Sequence, residues 1–172
     1  MSTPAPHITE PMTMATDYLL SVLALTIAVS LLLKVGSRGR KPVFLWVWAF
    51  SVTAVAALAG GTAHGFKLYL GEANHAVIWS FTVLSIGLTV FSLLVAGVYS
   101  ALCPTTTRSE PRKVGHRWLK RGLYISLAGV LIQTSGWSFH EHFNHNDIYH
   151  VVQMFGLYCF YRGALFLHDL AD

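Results

Sequence analysis

The stretch 42–65 reads PVFLWVWAFSVTAVAALAGGTAHG and contains no Asp, Glu, Lys or Arg. A helix needs roughly 20 mostly apolar residues to cross the hydrocarbon core of a bilayer, so this stretch predicts a membrane-spanning helix. Its small residues Gly60 and Gly61 allow a neighbouring helix to approach closely. His64, its next-to-last residue, is a polar residue at the predicted membrane boundary.

Four further stretches share this length and character. Hydrophobic residues make up 53% of the chain and charged residues 12%, well below the roughly 25% charged share of soluble domains. The sequence therefore predicts an all-α integral membrane bundle of five transmembrane helices. The predicted helices cover residues 17–35, 42–65, 74–102, 118–138 and 147–170. Residues 1–16 are predicted to form a mobile tail, and residues 17–172 a single transmembrane domain.

The first predicted helix is expected to remain in the mature protein. It is too long for a cleaved signal peptide, and it begins far from the N-terminus without a basic leader. The predicted protein is therefore multi-pass.

Basic residues are concentrated in two of the predicted connections. The connection after the first helix contains Lys34, Arg38, Arg40 and Lys41, and the one after the third contains Arg108, Arg112, Lys113, Arg117, Lys120 and Arg121. By the positive-inside rule these connections are cytoplasmic, so the N-terminus is predicted outside and the C-terminus inside a cell (inner) membrane. The net charge of +4 then requires no nucleic-acid partner.

Histidines gather at the helix ends predicted to face the non-cytoplasmic side. The densest run is WSFHEHFNHNDIYH at residues 137–150. The histidines at this side are His64, His75, His140, His142, His145 and His150. Neutral imidazole combined with carboxylate suits zinc, and also iron, nickel or copper. The concentration predicts a metal centre at the outer membrane face, with zinc as the expected ion.

The predicted ligands come from this group. They are His64, His145 and His150, with His142, His75 and Asp147 as alternates. His150 and Asp147 share one face of the last predicted helix, because residues three or four apart lie on the same side of a helix. Glu141 and Asp147 are the candidate catalytic carboxylates, either as a general base or as the partner that fixes an imidazole tautomer.

Each of these residues also has a structural explanation. A single histidine at a helix end is commonly an interfacial or capping residue, so the joint pattern carries the metal prediction. Asn144, Asn146 and Asp147 are suitable N-caps for the last predicted helix.

The segment 146–153, NDIYHVVQ, resembles the last-helix motif of the membrane hydrolase superfamily that includes alkaline ceramidases, adiponectin and progestin receptors and Per1-type lipid remodelling proteins. Those proteins carry a late His-x-x-x-His and an earlier Ser-x-x-x-His, whose histidines bind zinc for hydrolysis of lipid amides or esters. His150 matches the second late histidine, and His64 resembles the early one. Asn146 stands where the first late histidine is expected, and Gly60 replaces the serine.

The same resemblance leaves the early acid of the superfamily without a clear counterpart, although Glu72 or His75 lies in roughly the right region. That superfamily typically has seven helices, so the resemblance covers two short segments of this chain. The chain is also similar to small multi-helix membrane proteins that share the pattern Asn-His-Asn-Asp-x-Tyr-His, found here at residues 144–150.

The resemblance implies a zinc-dependent membrane hydrolase that acts on a lipid amide or ester at the outer leaflet. One alternative is a haem-binding or redox membrane protein that uses histidines from facing helices. Another is a metal-binding transporter or sensor component, for which Gln133, Gln153 and Arg162 provide a thin polar trail through the bundle. The expected partners are the lipid bilayer and a lipid substrate.

Overall fold

The computed structural model describes residues 8–35, 41–102, 110–140 and 143–168. The regular elements in these ranges are four helices. They are α1 (Pro11–Val35), α2 (Lys41–Leu102), α3 (Glu110–Ser135) and α4 (His145–His168). The prediction of an all-α protein is confirmed.

The second helix folds back on itself. Phe66 and Gly71 inside it have non-helical backbone angles, and the φ of 68° at Gly71 suits a residue without a side chain. The indole N–H of Trp46 donates to Ser100 Oγ at 3.0 Å. In one straight helix these two residues would lie about 80 Å apart, at about 1.5 Å of rise per residue. Helix α2 therefore consists of two segments that pack against each other.

The core forms where α1, α4 and the first α2 segment (residues 41–65) meet. Trp46 of this segment stacks on Phe160 of α4, with ring centroids 5.4 Å apart. Other buried residues of this core are Leu20, Ala24, Ile27, Ala28, Leu31, Val43, Phe50, Ala54, Ala57, Leu157 and Ala164. The second α2 segment (residues 72–102) adds Ala96 to the same core.

The outer surface is covered by large apolar side chains. Leu33, Leu84 and Phe91 have exposed fractions of 77%, 74% and 64%. Soluble monomers rarely expose contiguous apolar patches of more than a few hundred Å². Within the described ranges, two helices are long and apolar enough to cross a membrane, Pro11–Lys34 and Val43–Leu102. Surface and composition together indicate membrane association.

Helix α3 packs against α4 through glycines. Gly115, Gly122 and Gly129 recur at an interval close to two helical turns, so they share one face of α3. A Cβ atom at Gly122 would lie 2.7 Å from the ring of Phe160 and 3.1 Å from the carbonyl oxygen of Gly156. The two backbones approach this closely because Gly122 and Gly156 both lack a side chain.

Several helix boundaries differ from the predicted ones. Helix α1 begins at Pro11 and α3 at Glu110, earlier than predicted, and a proline in the first turn suits both starts. Helix α3 ends at Ser135 because Gly136, with a φ of 66°, leaves the helical conformation. Residues 11–16, which we predicted within the tail, form the first turns of α1.

Candidate functional site

Three helix ends meet on one side of the core. Glu10, which directly precedes α1, lies with its Oε2 3.0 Å from Nδ1 of His64, near the end of the first α2 segment. Thr16 of α1 contacts His150 near the start of α4. We call the titratable residues gathered here the acid–histidine cluster: Glu10, Asp17, His64, Asp147 and His150.

His150 lies at the centre of the acid–histidine cluster. Its Nδ1 is 2.9 Å from Thr16 Oγ1, and its Nε2 is 3.2 Å from Asp17 Oδ1. The exposed fraction is 8% for His150 and 4% for Asp17. Because Thr16 and Asp17 are adjacent, a single turn of α1 holds both nitrogens of the imidazole ring.

Asp147 connects the cluster to the start of α4. Its side chain is fully buried, and its Oδ2 accepts the backbone N–H of Asn144 at 2.8 Å. Oδ1 of Asn144 accepts the backbone N–H of Asn146 at 2.8 Å. This bond to the second residue of α4 confirms Asn144 as an N-cap. The other Asp147 oxygen, Oδ1, accepts from Thr16 Oγ1 at 3.4 Å, so the cap and the cluster share one carboxylate.

The Asn144→Ala variant is expected to lower the stability of the protein by about 1 kcal/mol, because it removes the side-chain acceptor of the cap. Thermal unfolding in mild detergent, followed by circular dichroism, measures this loss. The matched control is Asn74→Ala, since Asn74 is exposed and its side chain bonds the Leu70 carbonyl four positions earlier. Equal melting temperatures for the two variants would contradict a capping role for Asn144.

Glycines on the first α2 segment make room for Asp17. A Cβ atom at Gly60 would lie 3.1 Å from Asp17 Oδ2, and one at Gly61 would lie 2.7 Å from the ring of Tyr18. The absence of a side chain at Gly60 therefore leaves space for the Asp17 carboxylate of α1.

His64 is oriented by an acid and an aromatic ring. Its Nδ1 contacts Glu10, and its ring meets the ring of Trp79 edge-on at a centroid distance of 5.6 Å. His75 stacks on the same Trp79, with centroids 6.5 Å apart. The predicted ligand His64 belongs to the cluster, whereas the alternate His75 contacts Trp79.

The remaining predicted site residues either lie away from the acid–histidine cluster or fall outside the residues that the structure describes. His145 is the half-buried first residue of α4, five positions before His150, which is not the spacing that places two side chains on one helical face. His140 is exposed, and its backbone pairs with that of Phe143. Glu141 and His142 lie outside the described residues.

The acid–histidine cluster contains more acids than bases. Asp17 lies within electrostatic range of both Asp147 and Glu10. The two imidazoles also interact, His64 with His150. A buried carboxylate must either be protonated or have a cation beside it. In the described part of the chain, His, Cys, Asp and Glu side chains form no group of three or more that could hold a metal ion as they stand.

Sequence reasoning missed Asp17, Glu10 and Thr16. A signal was present for Asp17, because it is the one acidic residue within Pro11–Val35 and an ionisable residue in an apolar helix indicates a functional site. Glu10 and Thr16 carry no comparable signal, because their roles depend on where α1 begins and on which helices it contacts.

The fold and the cluster define an all-helical, membrane-associated protein with a partly buried acid–histidine cluster. The chain belongs to a family described as Family of unknown function (DUF6962), which matches residues 12–110 and 108–169. No curated protein and no solved structure matches the chain. The family match neither supports nor conflicts with the resemblance to the membrane hydrolase superfamily.

Proposed function

We propose that the chain crosses the membrane five times, through α1, the two α2 segments, α3 and α4. The folding back of α2 supports this count, because a helix of 62 residues far exceeds what a core about 30 Å thick requires. Helices α3 and α4, with 26 and 24 residues, are each long enough to cross.

The proposed orientation places the acid–histidine cluster at the non-cytoplasmic face. The cluster lies near the start of α1, and Lys34 lies in its last turn. Arg162 follows Tyr161, whose hydroxyl bonds Lys34, so basic residues gather at the end of the bundle opposite the cluster. By the positive-inside rule that basic end faces the cytoplasm.

Two contacts of the cluster support a role of its imidazoles as metal ligands. Glu10 contacts Nδ1 of His64 at 3.0 Å, and Thr16 contacts Nδ1 of His150 at 2.9 Å. Metal-ligating histidines commonly donate one ring N–H to such a partner, which leaves the lone pair on the other nitrogen. Both Nε2 atoms are then suited to bind a cation.

The distance between His150 and Asp17 fits a shared zinc ion. Two ligands of one tetrahedral zinc ion, each about 2.0 Å from the metal, lie ~3.3 Å from each other. His150 Nε2 and Asp17 Oδ1 are 3.2 Å apart. With His64 as the third ligand, the set has the composition of two histidines and one carboxylate found in catalytic zinc sites.

The function that this site supports best is zinc-dependent hydrolysis of a lipid amide or ester at the outer leaflet. The buried pair of His150 and Asp17 within an acid-rich cluster is the observation that carries it. A bound zinc ion supplies Lewis acidity that polarises a carbonyl group. Asp147 holds the Thr16 hydroxyl and the start of α4, and so positions His150. Glu141 remains the proposed general base.

Metal analysis of the purified chain, combined with hydrolysis assays on a ceramide-type amide and a phospholipid ester, tests this proposal. About one zinc ion per chain is expected for a site with three protein ligands. His64→Ala and His150→Ala should each lose both the zinc and the hydrolysis. His116→Ala is the matched control, because His116 lies on α3 between the basic residues Lys113 and Arg117.

The other possible results of these measurements would each contradict the proposal in a different way. Folded wild-type protein without stoichiometric zinc contradicts the metal centre, and a Soret absorbance band would favour the haem-binding alternative. Zinc that is retained without hydrolysis of either lipid would favour the transporter or sensor alternative.

A further inference from the structure

A shallow groove of about 550 Å³ runs along the outer face of α1. Its lining residues are Leu25, Thr26, Val29, Ser30, Leu33 and Lys34. They form two adjacent rows with a spacing of four residues, so each row follows one side of the helix. The row of Leu25, Val29 and Leu33 is apolar and exposed, whereas the row of Thr26 and Ser30 ends in the ammonium group of Lys34.

The ammonium group at the end of the groove is held in place by α4. Lys34 Nζ donates to Tyr161 Oη at 3.1 Å and lies 5.6 Å from the centre of the tyrosine ring. Ser30 Oγ lies 2.9 Å from the same hydroxyl. An ammonium group has three N–H donors, and the bond to Tyr161 uses one of them. Lys34 is thus a positioned cation with donors for an anionic ligand.

Two arginines extend the positive charge at this end. The guanidinium of Arg162 lies 5.3 Å from the Trp118 ring centre, and that of Arg121 lies 5.0 Å from it. Arg162 Nη1 also donates to Tyr158 Oη at 3.2 Å. Tryptophan and tyrosine are enriched at the headgroup level of membranes, so the proposed topology would place these guanidinium groups at the depth of lipid phosphates.

We propose that this end of the bundle binds an anionic phospholipid of the cytoplasmic leaflet. One acyl chain lies along Leu25, Val29 and Leu33, and the phosphate contacts Lys34, with Arg162 nearby. A zwitterionic lipid would add a cationic headgroup to this basic end, so the charge of the surface selects an anionic one. The inference rests on the membrane assignment proposed above and is independent of the hydrolase reaction.

Native mass spectrometry of the detergent-purified full chain tests the site. The protein is titrated with dioleoyl phosphatidylglycerol or dioleoyl phosphatidylcholine, and bound lipids are counted. Wild type should prefer the phosphatidylglycerol, and Lys34→Gln should lose about fivefold in its affinity, the contribution of one basic residue near a lipid surface. Val29→Trp should weaken binding of both lipids, because the larger side chain fills the groove.

The matched control is Lys67→Gln, since Lys67 is exposed and follows the first α2 segment at the opposite end of the bundle. It should bind phosphatidylglycerol as wild type does. Equal wild-type affinity for the two lipids, or unchanged binding by Lys34→Gln, overturns the inference.

Co-flotation with vesicles tests membrane insertion separately. A chain that fails to float contradicts the proposed function, and a floating chain without lipid preference contradicts this inference alone.

Discussion

Asp17→Asn is expected to lower the zinc affinity of the chain by ~100-fold or more, because loss of a ligand should cost at least as much as loss of an outer partner of a ligand. Asparagine keeps the shape of the side chain but removes the anionic oxygen that lies 3.2 Å from His150 Nε2. Zinc titration in competition with a chromogenic chelator measures the affinity. Circular dichroism checks that the helical content is unchanged.

Matched variants distinguish the loss of a zinc ligand from the loss of a negative charge elsewhere in the protein. Glu72→Gln removes an exposed acid of the second α2 segment and should bind zinc as wild type does. Asp147→Asn should have a smaller effect, about tenfold, because Asp147 acts through Thr16 and the helix cap.

The same titration decides between two ligand sets. The site built from the structure contains Asp17, His64 and His150, whereas the sequence predicted His145 in the place of Asp17. If Asp17→Asn binds zinc normally and His145→Ala does not, the set predicted from sequence is the correct one.

The all-helical fold could be predicted because long, mostly apolar stretches are readable directly in the sequence. The predicted stretch 42–65 coincides with the first α2 segment, and the predicted gap before residue 74 contains Gly71, whose positive φ lets the chain turn. The contacts between helices could not be predicted in this way. Trp46 meets Ser100 and Phe160, and such partners depend on three-dimensional packing that no local spacing reveals.

The candidate site divides in the same way. His64 and His150 were predicted from the concentration of histidines at one side of the membrane, a pattern readable along the chain. Asp17 and Thr16 reach the site through the contact of α1 with α4, and 131 positions separate Thr16 from Asp147. A pairing over that distance requires knowledge of which helices are neighbours. The lone acid of α1 was nevertheless a visible signal, and giving it weight would have placed Asp17 among the candidates.

Gly122→Leu is expected to destabilise the protein by ~3 kcal/mol, the upper range for overpacking a close contact. The first atom of the new side chain would meet the Phe160 ring at 2.7 Å and the Gly156 carbonyl oxygen at 3.1 Å. A ring can shift by rotation, but the Gly156 backbone can move only if α4 moves away from α3. The midpoint of thermal unfolding in mild detergent measures the loss.

Gly87→Leu is the control for this substitution. Gly87 lies within the second α2 segment, and a Cβ atom there would meet nothing within 4 Å. The stability of this variant should stay close to that of wild type or rise slightly, because glycine is a poor helix former.

Separation of α4 from α3 in Gly122→Leu should also disturb His150, which α4 carries into the acid–histidine cluster. Gly122→Leu should therefore weaken zinc binding as well, and a destabilised variant with wild-type zinc affinity would show that the glycine contact and the cluster are independent.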